Sequence, residues 1–192
     1  MEKIRLVVIL FLFQLLFINA YGQIEIGGGY AGNKMIGFDN PDYKPTFYVN
    51  AGYRISMTET DEWGIRPMIT YSELGSQVSK QGENGNLETY ELSQDGLSLG
   101  GDFYYNASSR VEFSGGLHFT TLLNQEATEI KEHFEAQYET SDFDILLMIK
   151  LRYKVSKALF VEGFCRQGFL DMDNVYQTNL NTGLGIGLGI KF

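Results

Sequence analysis

Eight segments of this chain alternate between apolar residues and residues that are polar, charged or glycine. In the last segment, apolar or methyl-bearing residues occupy every second position from Leu180 to Phe192, and Asn181, four glycines and Lys191 lie between them. This period of two is that of a β-strand, in which successive side chains point to opposite faces. The pattern predicts strands at residues 24–32, 46–56, 63–72, 97–105, 111–119, 143–153, 159–166 and 179–192.

One face of all eight segments carries no charged residue. A soluble β-sandwich also alternates, but its charges lie on the outer faces and its apolar faces pack together. The segments run to about nine to fourteen residues, which fits membrane-spanning strands better than globular strands of about five or six. Because lipid cannot satisfy an open sheet edge, such strands must close on themselves. We therefore expect an all-β fold, an eight-stranded antiparallel up-and-down transmembrane β-barrel.

The connections between the predicted strands alternate in length without exception. Those at 57–62, 106–109 and 154–158 are short, whereas the other four each run to more than ten residues. Outer-membrane barrels pair short periplasmic turns with long external loops, and an even strand count leaves both termini in the periplasm. A sandwich has no physical reason to follow this rule.

Aromatic residues of the apolar face cluster at the two ends of the predicted strands. This clustering predicts the two aromatic girdles that mark the interfaces of a bilayer, whereas core aromatics would not sort by strand end. The predicted girdles are Tyr30, Phe47, Tyr71 and Phe143 beside the long loops, and Tyr53, Trp63, Tyr105, Tyr153 and Phe192 beside the short turns.

Residues 1–22 have the features of a secretory signal peptide. A basic start is followed by an apolar run at 6–18 and by the small residues Ala20 and Gly22 ahead of the cleavage site. The alternative, a transmembrane helix, needs about 20 apolar residues. The remainder, 23–192, is predicted to form one outer-membrane β-barrel domain.

Charge and cysteine content narrow the choice of partners. Without residues 1–22 the chain has 23 acidic and 13 basic residues, a net charge of −10, which disfavours nucleic acid. The mean hydropathy of −0.14 is uninformative, because alternation averages polar and apolar faces. The single cysteine, Cys165, is interpreted as a small apolar residue on a lipid-facing strand.

Two short motifs resemble a known family. The stretch Gly64-Ile-Arg-Pro-Met-Ile-Thr-Tyr-Ser-Glu-Leu-Gly75 is similar to the Arg/Gln-Pro-hydrophobic-Tyr-Ser-x-x-Gly strand of the PorT-like, or "porin family", β-barrel proteins of Bacteroidota. The terminal Gly-Leu-Gly-Ile-Lys-Phe192 resembles the aromatic-ended signal read by the barrel assembly machinery. The resemblance implies a location in the bacterial outer membrane and Phe192 as an assembly signal, but no particular activity. The partners it implies are outer-membrane lipid, lipopolysaccharide and the assembly machinery, and we expect a monomer.

Five acids and six bases are predicted on the inward face. An eight-stranded barrel has an interior just wide enough for side chains, and buried charges need partners. We interpret these residues as a salt-bridged plug rather than a path for protons or ions, and we expect the inward glycines of the last strand to leave room for the arginines. The predicted interior ion pairs are formed by Glu25, Arg54, Arg66, Asp102, Glu112, Asp144, Lys150, Arg152, Glu162, Arg166 and Lys191.

The main hypothesis is a structural or surface-contact role through the external loops, and two alternatives remain. A lipid A-modifying hydrolase would use His118, Thr120 and Glu132, which resemble the His-x-Ser and distant Glu of eight-stranded lipid A deacylases. Threonine replaces the serine, however, and His118 is predicted to point inward. The other alternative is a narrow ion-conducting pore. His118 and His133, without cysteine or a spaced carboxylate, do not make a zinc site, and we expect no cofactor.

The predicted external loops are strongly acidic. They suit a solvated rim, and divalent cations could bridge them to lipopolysaccharide phosphates. Residues 171–174 could also offer oxygen ligands to Ca²⁺, although a solvated rim explains them as well. The acidic residues are Glu83, Glu88, Glu91 and Asp95 in the second loop, and Glu126, Glu129, Glu132, Glu135 and Glu139 in the third.

Two local features fit the strand pattern less well. Pro67 lies inside the third segment, where it lacks the amide hydrogen for a ladder bond, so we expect a bulge or a locally unpaired position. Residues 127–140 carry apolar residues four apart among glutamates, which suits a short helix as well as a strand extension.

Overall fold

The computed structural model describes residues 22–36, 41–81, 87–129, 135–136, 142–170 and 180–192, and their regular structure is entirely β-strand. No helix within these ranges is long and apolar enough to cross a membrane. Residues 1–21 lie outside them, so the signal peptide stays a prediction. The strands are β1 (Gly22–Ile36), β2 (Lys44–Ser56), β3 (Trp63–Gln81), β4 (Leu87–Asn106), β5 (Val111–Glu129), β6 (Glu135–Ala136), β7 (Phe143–Lys154), β8 (Leu159–Gly168) and β9 (Leu180–Lys191).

Eight of the nine described strands close into a barrel. Strands β1 to β5 pair in chain order, β5 pairs with β7, and β7, β8 and β9 follow in order until β9 pairs with β1. The two-residue β6 only extends the edge of β5. Every pairing is antiparallel, which confirms the predicted all-β, eight-stranded, up-and-down barrel.

The predicted division between inward and outward residues is confirmed in all eight barrel strands. Inward side chains such as Arg66 and His118 are fully buried, whereas outward apolar side chains such as Leu99 and Ile186 are 60% and 65% exposed. Cys165 is also exposed, as its predicted place on the outward face requires. The barrel thus presents an apolar belt to its surroundings and encloses its charges.

The connections at the two ends of the barrel differ as predicted. Residues 57–62, 107–110 and 155–158 form short turns, and both described termini lie at this end, which we call the short-turn end. The opposite end is called the long-loop end.

Three strands are much longer than the alternation predicted. β3, β4 and β5 have 19, 20 and 19 residues, whereas β7, β8 and β9 have 12, 10 and 12. Pairing of β3 with β4 continues to Gln81 opposite Leu87, so most of the predicted second loop, including the positions of Glu88, Glu91 and Asp95, is strand. Beyond lipid a sheet no longer needs one apolar face, so the sequence pattern ends before the strands do. We call residues 73–81, 87–95 and 122–129 the protruding sheet.

Pro67 leaves a local gap in the β2–β3 ladder. Pairing stops after Gly52 opposite Met68 and resumes at Ile55 opposite Ile65 in the same register, so the position is unpaired without a bulge. On its other side, Pro67 stays paired with β4.

A bulge lies instead at the base of the protruding sheet, where no bulge was predicted. The register of β4 against β5 shifts between Asp95 and Gly96, which face Asn124 and Leu122, so Leu123 is the extra residue. Of residues 127–140, those at 127–129 and 135–136 are strand, and the others lie outside the described residues.

Candidate functional site

Eight buried charged residues meet in the middle of the barrel and toward its short-turn end. Each strand of the barrel contributes at least one of them except β9, whose inward positions are mostly glycine. All eight are at most 3% exposed. We call them the interior ion-pair network: Glu25, Arg54, Arg66, Asp102, Glu112, Lys150, Arg152 and Glu162.

Glu112 is the acid on which most of the bases converge. Arg54 Nη1 lies 2.5 Å from Glu112 Oε2, and Arg66 Nη2 donates a hydrogen bond to Glu112 Oε1. Arg152 and Lys154 approach the same carboxylate at 3.7 and 3.8 Å. One negative charge therefore faces four positive ones.

Glu25 and Glu162 compensate the excess positive charge around Glu112 from the other side of the lumen. Glu25 Oε2 lies 2.7 Å from Arg66 Nε and 2.5 Å from Arg152 Nη1. Glu162 lies 2.8 Å from Arg152 Nε and also accepts a hydrogen bond of 3.0 Å from the Tyr48 hydroxyl. Arg152 thus links two acids that are 137 positions apart in the chain.

Asp102 forms the end of the network nearest the middle of the barrel. It lies 2.9 Å from Lys150 Nζ and 2.9 Å from His118 Nε2, and Arg66 Nη1 is 3.7 Å away. Charges of opposite sign therefore alternate through the lumen. Buried charges arranged in this way compensate each other's loss of hydration, whereas removal of one partner leaves a bare charge.

A turn at the short-turn end covers the network. Asp61, in the β2–β3 turn, accepts hydrogen bonds from the Arg54 guanidinium at 3.1–3.3 Å and from the Tyr104 hydroxyl at 2.8 Å. Its φ of 53° is left-handed, a conformation that aspartate tolerates better than most residues. Burial raises the pKa of Asp61, but the hydrogen bonds from Tyr104 and Arg54 outweigh that effect and lower the pKa below its ordinary value.

Three of the eleven predicted ion-pair residues are placed differently. Arg166 donates hydrogen bonds to Asn33 Oδ1, and Asp144 accepts them from Asn181 and from two backbone amides. Within the described part of the chain neither makes an ion pair, because both lie near the long-loop end, away from the network. Lys191 is only partly buried at the short-turn rim and likewise pairs with no described acid.

The glycines of β9 mainly accommodate aromatic rings, not arginines as predicted. A methyl group at Gly185 or Gly189 would meet the ring of Phe164 or Phe160, and one at Gly187 would meet Tyr48. Only Gly183 lies against an arginine, since a methyl group there would be 3.0 Å from Arg166 Nε. The glycines of β9 therefore leave space in the lumen, and side chains of other strands fill that space.

The described residues of the enzyme alternative lie inside the barrel and not on its lipid-facing surface. His118 and Thr120 are fully buried in the lumen, His118 Nε2 faces Asp102, and the Thr120 hydroxyl lies 2.7 Å from that of Ser98. His133 and Glu132 fall outside the described residues. Within the described ranges there is no group of three His, Cys, Asp or Glu side chains that could hold a metal ion, and residues 171–174 lie outside those ranges.

Sequence reasoning missed the polar groups that complete the network. Tyr48 and Tyr104 are the inward aromatics whose hydroxyls bind acids, and the Tyr104 ring lies 3.6 Å from the Arg54 guanidinium carbon. Their positions could have indicated this role, because both are aromatic residues on the charged face, whereas Phe47, Phe103 and Tyr105 beside them point outward. Asp61 gave no such signal, since it lies in a turn.

A comparison with family models decides the family. Residues 19–174 match the model described as "Outer membrane protein beta-barrel domain". The chain belongs to this family. Membership implies a location in the outer membrane, with the short turns on the periplasmic side. No curated protein matches the chain.

Solved structures of the same architecture support this fold. The chain is similar to Ail of Yersinia pestis, with 12% identity, a TM-score of 0.57, and coverage of 90% of this chain and 100% of that one. It is also similar to OprG of Pseudomonas aeruginosa, with 15% identity, a TM-score of 0.56, and coverage of 89% and 96%. Neisserial surface protein A matches with 15% identity, a TM-score of 0.54, and coverage of 89% and 97%. At these identities the similarity concerns the fold alone.

Proposed function

We propose that this protein is a non-conducting outer-membrane barrel that makes contacts at the cell surface through its protruding sheet. The proposal rests on the unequal lengths of the strands. Three adjacent strands, β3, β4 and β5, continue well past the level at which the other strands end. The eight or nine residues that each strand contributes to the protruding sheet correspond to roughly 30 Å of extra strand. Such an extension adds nothing to the span across lipid and suits a contact surface.

The closed lumen supports the first half of this proposal. Arg54, Arg66 and Arg152 reach across the interior from three strands and meet Glu25 and Glu112, so the cross-section is filled by paired side chains. An ion would have to break these pairs in order to pass. The pore alternative is therefore not favoured.

The charge of the protruding sheet supports the second half. The chain carries acidic residues throughout these strands, and Lys44 lies 2.9 and 3.0 Å from Glu73 and Glu91 at the base. An acidic surface beside lipopolysaccharide phosphates would be held to them by divalent cations. We propose lipopolysaccharide as the partner that this sheet contacts.

Conductance in a planar bilayer tests the closed lumen. The purified full-length barrel is expected to give no regular current steps, because the network fills its interior. Stable open steps in the unmodified protein would contradict this half of the proposal.

Shortening the hairpin tests the surface contact. Replacing residues 78–90 with Asn-Gly joins Gln77 to Glu91, which are paired across the hairpin, through a two-residue turn. Full-length protein is expected to retain lipopolysaccharide micelles in Mg²⁺ and to release them in chelator, and the shortened barrel is expected to retain much less. Equal retention by both proteins, or retention unaffected by chelator, would contradict the surface role.

We further propose the finer assignments that the sequence suggests. Residues 1–22 would be removed as a signal peptide during export, and the chain would be a monomeric PorT-like protein of Bacteroidota. Phe192 would act as the signal for the barrel assembly machinery. The partners would then be outer-membrane lipid, lipopolysaccharide and that machinery, with no nucleic acid.

A further inference from the structure

A small basic cavity opens at the periplasmic mouth of the barrel, separate from the protruding sheet. It has about 20 Å³ of internal space and opens to solvent. The enclosed part has room for one oxygen-sized group. Its charged lining consists of Arg152, Lys154, Lys157, Lys191, Glu25 and Glu112.

The positive charges of this cavity are only partly neutralised. Glu25 and Glu112 line it, but both are bound from the interior by Arg66, and Glu112 also by Arg54. Lys157 and Lys191 form no ion pair with any residue in the described ranges. The cavity therefore has an excess of positive charge at its solvent-facing rim.

The buried wall of the cavity carries a hydrogen-bond donor without an acceptor. Arg152 is 2% exposed, its guanidinium carbon lies 4.2 Å from the centre of the Phe160 ring, and its Nε and Nη1 atoms bind Glu162 and Glu25. Its Nη2 atom finds no partner among the described residues. A buried donor of this kind is uncommon in proteins, and Arg152 Nη2 is free to bind an acceptor from outside the chain.

We propose that this cavity binds a phosphate group from the periplasmic side. One phosphate oxygen would enter the enclosed space and accept a hydrogen bond from Arg152 Nη2, and the others would meet Lys157 and Lys191. A tetrahedral phosphate presents oxygens in several directions at once, whereas a carboxylate has only two oxygens in one plane. The phosphate would come either from a soluble phosphate compound or from the headgroup of an inner-leaflet phospholipid.

The double variant K157Q/K191Q tests the site. Both lysines lie at the rim, outside the interior ion-pair network, so the variant is expected to keep heat-modifiable gel migration. Calorimetric titration of full-length protein in a neutral detergent with inorganic phosphate is expected to show saturable binding that is about tenfold weaker in the variant. The matched control is R110Q, which removes an exposed positive charge from another periplasmic turn and is expected to bind phosphate as the unmodified protein does.

A second arm identifies the source of the phosphate. Native mass spectrometry would compare retained phosphatidylglycerol in the unmodified protein, K157Q/K191Q and R110Q. Loss of lipid adducts only in the double variant assigns the site to a headgroup, and loss of inorganic phosphate binding alone assigns it to soluble compounds. Absence of saturable binding of either probe, or equal binding by all three proteins, overturns the proposal.

Discussion

Glu112 faces more opposite charge than any other acid of the interior network. Its carboxylate lies 2.5 Å from Arg54 and also accepts a hydrogen bond from Arg66, while Arg152 and Lys154 are just below 4 Å away. All of these groups except Lys154 are nearly fully buried. The charge of this one side chain therefore compensates several cations that cannot reach water.

Glu112→Gln is expected to destabilise the barrel severely. Glutamine keeps the shape, but the interior ion-pair network, which has four acids and four bases, is left with one uncompensated buried positive charge, a change that costs about 3–5 kcal/mol. Urea unfolding in lipid vesicles, followed by the fluorescence of Trp63, the single tryptophan, would measure the loss. R110Q serves as the control for a lost surface charge, and an effect of Glu112→Gln no larger than that of the control would contradict the prediction.

Asp61→Asn is expected to destabilise the protein at neutral pH but not at low pH. Asparagine tolerates the left-handed backbone, so the change removes only the charge. Because the folded pKa of Asp61 lies below its ordinary value, its contribution is present above the unfolded pKa of about 3.9 and is lost as the pH falls through the lower folded value. Urea unfolding from pH 7 to pH 3 should show the difference between the two proteins shrinking below about pH 4. A constant difference would show that the charge is not responsible.

The alternation along each strand predicted which side chains point into the lumen, but not which of them contact each other. Glu25 and Arg152 were correctly assigned to the inward face, yet their contact depends on the stagger between strands, which the alternation of single strands does not contain. Lys191 is also at an inward position, but it lies so close to the end of β9 that its side chain stays at the rim of the barrel. The sequence pattern therefore did not show how far along the barrel axis each inward residue lies.

At the scale of the element, β9 has an inward face of four glycines against three aromatic rings. Gly189 and Gly163 form a matched pair for testing this packing, because both are barrel-strand glycines. A methyl group at Gly189 would collide with the Phe160 ring, whereas one at Gly163, on the outward face of β8, would meet only the Gly185 carbonyl at 3.8 Å.

Gly189→Ala is therefore expected to destabilise the barrel by about 1–3 kcal/mol, the usual cost of overpacking. Gly163→Ala is expected to be nearly neutral. Urea midpoints of the two variants in the same lipid would decide the matter. Equal effects would mean that the inward face of β9 has spare room.

The length of an element proved harder to predict than its existence. Each barrel strand was found because lipid on one side and charge on the other impose the alternation. That constraint ends at the membrane surface, so the continuation of β3 to Gln81 and of β5 to Glu129 left no comparable pattern. The unpaired position at Pro67, by contrast, could be predicted from the sequence, because a missing amide hydrogen has the same effect in any strand.

At the scale of the whole molecule, β9 ends the chain and also completes the barrel. Phe192 follows it directly, is 72% exposed and donates its backbone amide to the Ile24 carbonyl of β1. The last residue thus lies at the seam where the first and last strands join.

Deletion of Phe192 is expected to block insertion while leaving export intact. The truncated chain should be found in the periplasm without heat-modifiable migration, and Phe192→Tyr should insert normally because it keeps an aromatic end. Cell fractionation followed by gels of unheated samples would measure both. Normal insertion of the truncated chain would contradict the role of Phe192 as an assembly signal and leave only its role in the predicted aromatic girdle.

The seam between β1 and β9 has a consequence for how the barrel is built. Gly27 lies opposite Gly189, and Gly29 opposite Gly187, so the middle of the inward face of the joint is bare of side chains. There the two edges meet by backbone pairing, and side chains of the neighbouring strands reach across them. The ion pair between Glu25 of β1 and Arg152 of β7 joins strands on opposite sides of this joint, so we expect it to form only as the barrel closes.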